Sequence, residues 1–270
     1  YSGVQSMLKG DKWNSFQTLL GQKFSEKIIF KELVNKYLVQ EGVTYQFEDN
    51  TKGWDQDLYH RKNNHVSFVE YKNVKLALKD TFTEIKADVD NKMVQVNKDG
   101  KTKKKAVYQL IDQIKSFHDN INKYENIEDA GYTRERLFIY PVIMFTEYNW
   151  RLPGINDYLN RIFKSEISKL NFKFFSVSEL VMMHTDFFYF HEDIFLKDKA
   201  NLHQVIYNGM QVKETFRIAG SKYKIPPAQA IMNSYSDFDF CANIAYIDKV
   251  NQSNKMSFFY EVLAKLDAPK

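Results

Sequence analysis

From Phe24 to Val39 the apolar residues Phe24, Ile28, Ile29, Leu33, Val34, Tyr37 and Leu38 recur at steps of three and four, the period of an amphipathic helix, and Gly42 ends it. Val43–Phe47 then alternates apolar and polar positions as a short strand does. Two further runs, Trp54–His60 and Val66–Lys72, flank Arg61-Lys62-Asn63-Asn64 and read as a β-hairpin. The second helix is predicted at Ala106–Tyr124, with Val107, Leu110, Ile111, Ile114 and Phe117 on one stripe. Arg136–Phe145 is an apolar run of the kind buried on both faces of a sheet. A third helix at 156–170 and a strand at 172–177 follow, after a charged connection at 74–89 and a segment near 93–105 that reads as a small hairpin or the approach to a helix. Residues 1–20 carry scattered apolar positions consistent with a short helix.

This order of helices and strands predicts an α/β fold, a mixed β-sheet flanked by helices, over about residues 1–185. Beyond 185 no comparable buried strand recurs, and 186–270 reads as a mostly helical C-terminal extension, suited to substrate recognition or dimerisation. Thr215–Ile231 is faintly like a helix-turn-helix but fits helices packing on a core better.

Composition narrows the function classes. With 270 residues, 22 Phe and 17 Tyr, the chain has too much apolar side chain for disorder. No apolar run of about 18 residues and no leader pattern is visible, so a soluble cytoplasmic protein without a membrane partner is expected. Tyr1 in place of Met suggests a trimmed terminus or a fragment. The single Cys241 excludes an internal disulfide or a cysteine-rich zinc site, and no Gly-x-Ser-x-Gly or glycine-rich phosphate loop is present. Net charge is only +4, yet Lys98, Lys101, Lys103, Lys104 and Lys105 crowd one short stretch, either a solvated hairpin tip or a phosphate-contacting loop.

The hairpin carries the candidate chemistry. With a side-chain period of two, Glu70 and Lys72 share one side of their strand, and Asp55 and Asp57 share a face of the strand before. Hard divalent cations take oxygen ligands and one or two protein carboxylates, which Asp57 and Glu70 could supply with the Tyr71 carbonyl. Lys72 could orient or deprotonate the attacking water or stabilise the phosphorus centre. Without a metal, the same residues would make a surface cross-strand ion pair. Glu84-Ile85-Lys86 repeats the tripeptide in a charged segment with no apolar strand leading into it, and reads as a solvated face. His60 and His65 read as solvated turn residues; His184 and His191, near Asp186 and Asp193, read as packing residues.

Glu70-Tyr71-Lys72 at the end of an apolar strand, an acid thirteen positions earlier, a leading helix with Glu26 and a following helix with Tyr108-Gln109-Leu110-Ile111-Asp112-Gln113 together resemble the PD-(D/E)XK nuclease superfamily, the restriction-endonuclease-like fold. The resemblance covers roughly residues 20–150. It implies a nuclease dependent on Mg²⁺ or Mn²⁺ acting on nucleic acid, DNA ahead of RNA. By the resemblance, the metal acid is Asp57, followed by apolar Leu58-Tyr59, with Asp55 in reserve, beside Glu70, Tyr71 and Lys72. Glu26 and Gln109 would sit just outside the ligands, Gln113 being able to substitute for Gln109, and Lys101, Lys103, Lys104 and Lys105 would approach the phosphate backbone. A homodimer stays open. The rival readings are a catalytically inactive member of the fold that binds nucleic acid or protein, and a helical interaction module whose strand acids are ordinary surface.

Overall fold

This computed structural model describes residues 24–25, 28–49, 54–98, 101–125, 136–172, 175–222 and 238–246. The sheet is mixed, in the order β1 (Val43–Asp49), β2 (Trp54–Lys62), β3 (His65–Lys72), β6 (Leu137–Phe145), β7 (Phe175–Val177), with β8 (Val181–His184) also paired to β6. The first three strands are antiparallel; β6 lies parallel to β3, β7 and β8. The β2–β3 turn is reduced to Asn63-Asn64, and Asn63 takes the left-handed conformation (φ 54°) that asparagine tolerates best among residues with a side chain. Gly42, the expected stop of the first helix, has φ 71°.

Pro141 sits inside β6 although it has no N–H for a ladder. Odd-numbered β6 residues face β7 and β8, as the bonds Ser178 N–H to Ile139 O and Thr185 N–H to Phe145 O show. Pairing passes from Ile139–Val177 to Val142–Val181, so the missing donor falls at the junction between the two partner strands.

Helices cover both faces. On one, Tyr59, Val66, Phe68, Ile139, Ile143 and Phe145 pack with α3 (Ala106–Asp119) and α4 (Ile155–Lys169) through Leu110, Ile114, Phe117, Leu159 and Phe163. On the other, Leu58, Val69, Tyr71, Val142 and Met144 pack with α1 (Lys31–Tyr37), α5 (Asp186–Phe190), α6 (Glu192–Leu196), α7 (Leu202–Lys222) and α8 (Phe238–Ala245). The division drawn at 185 therefore does not coincide with a break in packing, because residues on both sides of it share one apolar core.

Residues 74–89, of uncertain type from sequence, begin as an irregular connection and then form α2 (Phe82–Val89). Thr81 caps α2 by accepting from Glu84 N–H, while its hydroxyl donates to the Glu84 carboxylate. Glu84-Ile85-Lys86 thus lies on a helix, with Lys86 paired to Asp90 at the surface. The strand β4 (Gln95–Lys98) pairs antiparallel with β5 (Lys101–Lys104) as the small hairpin. Among the described residues no helix is long and apolar enough to cross a membrane.

Candidate active site

Backbone pairing between β2 and β3 ends at Leu58–Val69, one step short of Asp57 and Glu70. Past that point a side chain takes over from the ladder: the Asp57 Oδ2 accepts the Tyr71 N–H at 2.7 Å. Asp57, Glu70 and Lys72 lie on the same face. Lys72 Nζ donates to Glu70 Oε2 at 2.7 Å and stands 4.0 Å from Asp57 Oδ2. The Tyr71 ring goes to the opposite face, stacks on Phe30 at 4.6 Å and shares a 2.6 Å hydrogen bond with Ser25. A packed aromatic on one side and a side-chain acceptor on the other thus fix the strand end that carries the acids.

Glu70 is 1% exposed, and its other oxygen, Oε1, accepts from the Gln113 amide on α3. Burial pushes its carboxyl up to about 7; Asp57 adds to the rise, while Lys72 and the hydrogen bonds of Lys72 and Gln113 oppose it. The Asp57 side chain, a quarter exposed, is less desolvated than Glu70. Its carboxyl is raised as well, by burial first, against the pull of Lys72 and the Tyr71 N–H. Two acids that both resist ionisation beside one lysine are short of positive charge. The donor set, two carboxylates flanking Lys72 Nζ at 2.7 Å and 4.0 Å, is of the type a hard divalent cation takes. The Gln113 Oε1 is buried and accepts no hydrogen bond from the described residues, leaving an acceptor beside Glu70 that a metal-bound water could serve.

The structure brings together Asp57, Glu70 and Lys72 but selects Gln113 rather than Gln109 as the helix partner. Gln109 lies one turn before it and is only partly buried. A signal was available: Gln113 falls between Leu110 and Phe117 at the three-and-four spacing of the apolar stripe, where a polar side chain must find a partner. Glu26 and the side chain of Asp55 lie outside the described residues. Among the described residues no group of three or more His, Cys, Asp or Glu could hold a metal.

The basic residues divide. Lys104 turns to α3 and contacts both Asp112 oxygens at 2.7 Å, whereas Lys101 and Lys103 are exposed and Lys105 is half-buried at the start of α3. Burial, Lys103 and Lys72 together lower the Lys105 ammonium, which puts the hairpin's last lysine within electrostatic range of the acids' own lysine. The turn histidines are not solvated as expected. His60 is fully buried against the Leu38 carbonyl, its ring pushed down to about 4 by burial, and His65 stacks on His203 at 4.0 Å. His184 and His191 are buried among aromatic rings.

Compared with known proteins, the chain matches no family model, no curated protein and no solved structure.

Proposed function

We propose that the chain is a nuclease of the PD-(D/E)XK type that hydrolyses phosphodiester bonds in nucleic acid, DNA before RNA, with Mg²⁺ or Mn²⁺. One observation carries this reading: Asp57, Glu70 and Lys72 meet on one face where the β2–β3 ladder opens, with Glu70 buttressed by Gln113. Asp57 and Glu70 would hold the cation, helped by the Tyr71 carbonyl. When bound, a divalent ion offsets charge building on the phosphate and makes water a better nucleophile at neutral pH.

The rest is work for the chain's own groups. Gln113 fixes the Glu70 rotamer, and the Tyr71 N–H fixes that of Asp57, so neither acid has to reorganise on loading. Lys72 Nζ, held by Glu70 Oε2, is a cation placed to donate to a phosphate oxygen as negative charge develops there. Lys101, Lys103 and Lys105 supply positive charge along the approach.

The test is incubation with plasmid, linear duplex and single-stranded DNA and with RNA, with Mg²⁺ or Mn²⁺ and with chelator. Cleavage is expected only with metal, and Glu70→Ala and Lys72→Ala are each expected to lose at least about a hundredfold in rate, as removal of one transition-state donor does, while keeping the wild-type circular dichroism. Undiminished cleavage by either variant overturns the assignment. Binding without any cleavage by the wild type favours the catalytically inactive alternative.

A further inference from the structure

We propose that Lys101, Lys103 and Lys105 form a track for successive phosphates of one polynucleotide strand leading into the acid site; this rests on the nuclease reading above. The argument begins with alternation. Lys101 and Lys103 are on β5, and Lys105, the residue before α3, keeps an extended backbone (φ −124°, ψ −171°), so the three share one side of a continuous extended segment. Lys104 points to the other side, where Asp112 neutralises it. Alternate residues of an extended chain repeat about every 6.6 Å, a spacing comparable to that of neighbouring phosphates along one nucleic-acid strand.

Many lysines elsewhere on the molecule are charge-paired. Lys86, Lys92, Lys104, Lys164, Lys169, Lys197 and Lys213 each have an acidic partner. Among the described residues Lys101, Lys103 and Lys105 have none, and the charges that shift the Lys105 ammonium are Lys103 and Lys72, both positive. Like charges left uncompensated at a half-buried position raise the energy of the free protein, and a row of phosphates removes that repulsion. Lys105 immediately precedes α3, the helix whose Gln113 bonds Glu70, so the extended segment leads toward the acids.

Binding is measured by fluorescence anisotropy of a fluorescein-labelled oligothymidylate, in chelator, over a salt titration. For single strands each phosphate neutralised contributes about 0.7 to the slope of log affinity against log salt. Lys101→Gln, Lys103→Gln and Lys105→Gln should each flatten the slope by about that much, and the triple variant by about 2. Lys104→Gln should leave it unchanged. A triple variant with the wild-type slope, or a Lys104→Gln effect equal to that of Lys103→Gln, overturns the track. Plasmid cleavage by the wild type with Mg²⁺ separates the two claims. Cleavage with a lysine-independent slope sinks the track alone, a lysine-dependent slope without cleavage sinks the nuclease reading alone, and no binding at all sinks both.

Discussion

Glu70 is a carboxyl kept from water with a single lysine for compensation, and its protonation links the candidate chemistry to stability. Its folded-state value, about 7, stands above the ordinary 4.5 because burial outweighs Lys72. Between those two values the folded protein holds a proton that the unfolded chain has released. The contribution of Glu70 to stability without metal is therefore fully present below about pH 4.5 and is lost as pH rises toward 7. Glu70→Gln should flatten that decline in urea unfolding followed from pH 5 to 8. A divalent cation competes with the same proton, so its affinity in the wild type, read by calorimetry, should fall as pH drops below about 7. An unchanged stability slope in Glu70→Gln, or metal affinity flat across that range, would contradict the linkage.

At the scale of elements, close packing between α7 and α8 depends on Gly209. A Cβ there would lie 2.8 Å and 3.0 Å from two Phe238 ring carbons and 3.3 Å from the Ala242 Cα. Alanine in mid-helix gains about 1 kcal/mol over glycine, but overpacking against a buried ring and a backbone atom costs about 1–3 kcal/mol. Gly209→Ala should therefore destabilise by about 1 kcal/mol in urea unfolding, and adding Phe238→Leu should recover most of the loss; a stabilised single variant would refute the close approach. No pattern along α7 announces this glycine, since its need comes from a helix some thirty residues away. By contrast, β2, β3, β6, α3 and α4 were legible because their period or apolar run is local. The opening of the β2–β3 ladder at Asp57 was not legible: it depends on a side chain replacing a backbone acceptor at Tyr71 N–H. Strand β8 escaped notice because Val181–His184 is four residues long and lies among aromatics without alternation.

For the whole molecule the question is whether residues 1–185 could stand alone. Cutting there would remove Phe187, Phe188, Phe195, Val205, Ile206 and Phe238 from the core that covers Leu58, Val69 and Tyr71. Burying one such side chain contributes about 1.5–3 kcal/mol, so the six together match or exceed the roughly 5–15 kcal/mol by which a typical domain is stable. Helix α1 would lose its footing as well, because the Tyr37 ring packs on Phe188, Tyr189 and Phe195 at 6.0–6.3 Å. Residues 1–185 expressed alone should lack a cooperative urea transition and a native near-ultraviolet circular dichroism signal, and should bind an apolar dye; a cooperative transition in that fragment would show a self-sufficient core. The loss reaches the site through one residue. Tyr71 holds Asp57 by its N–H while its ring belongs to the face that the C-terminal helices cover, so uncovering that face releases the strand end on which Asp57, Glu70 and Lys72 converge.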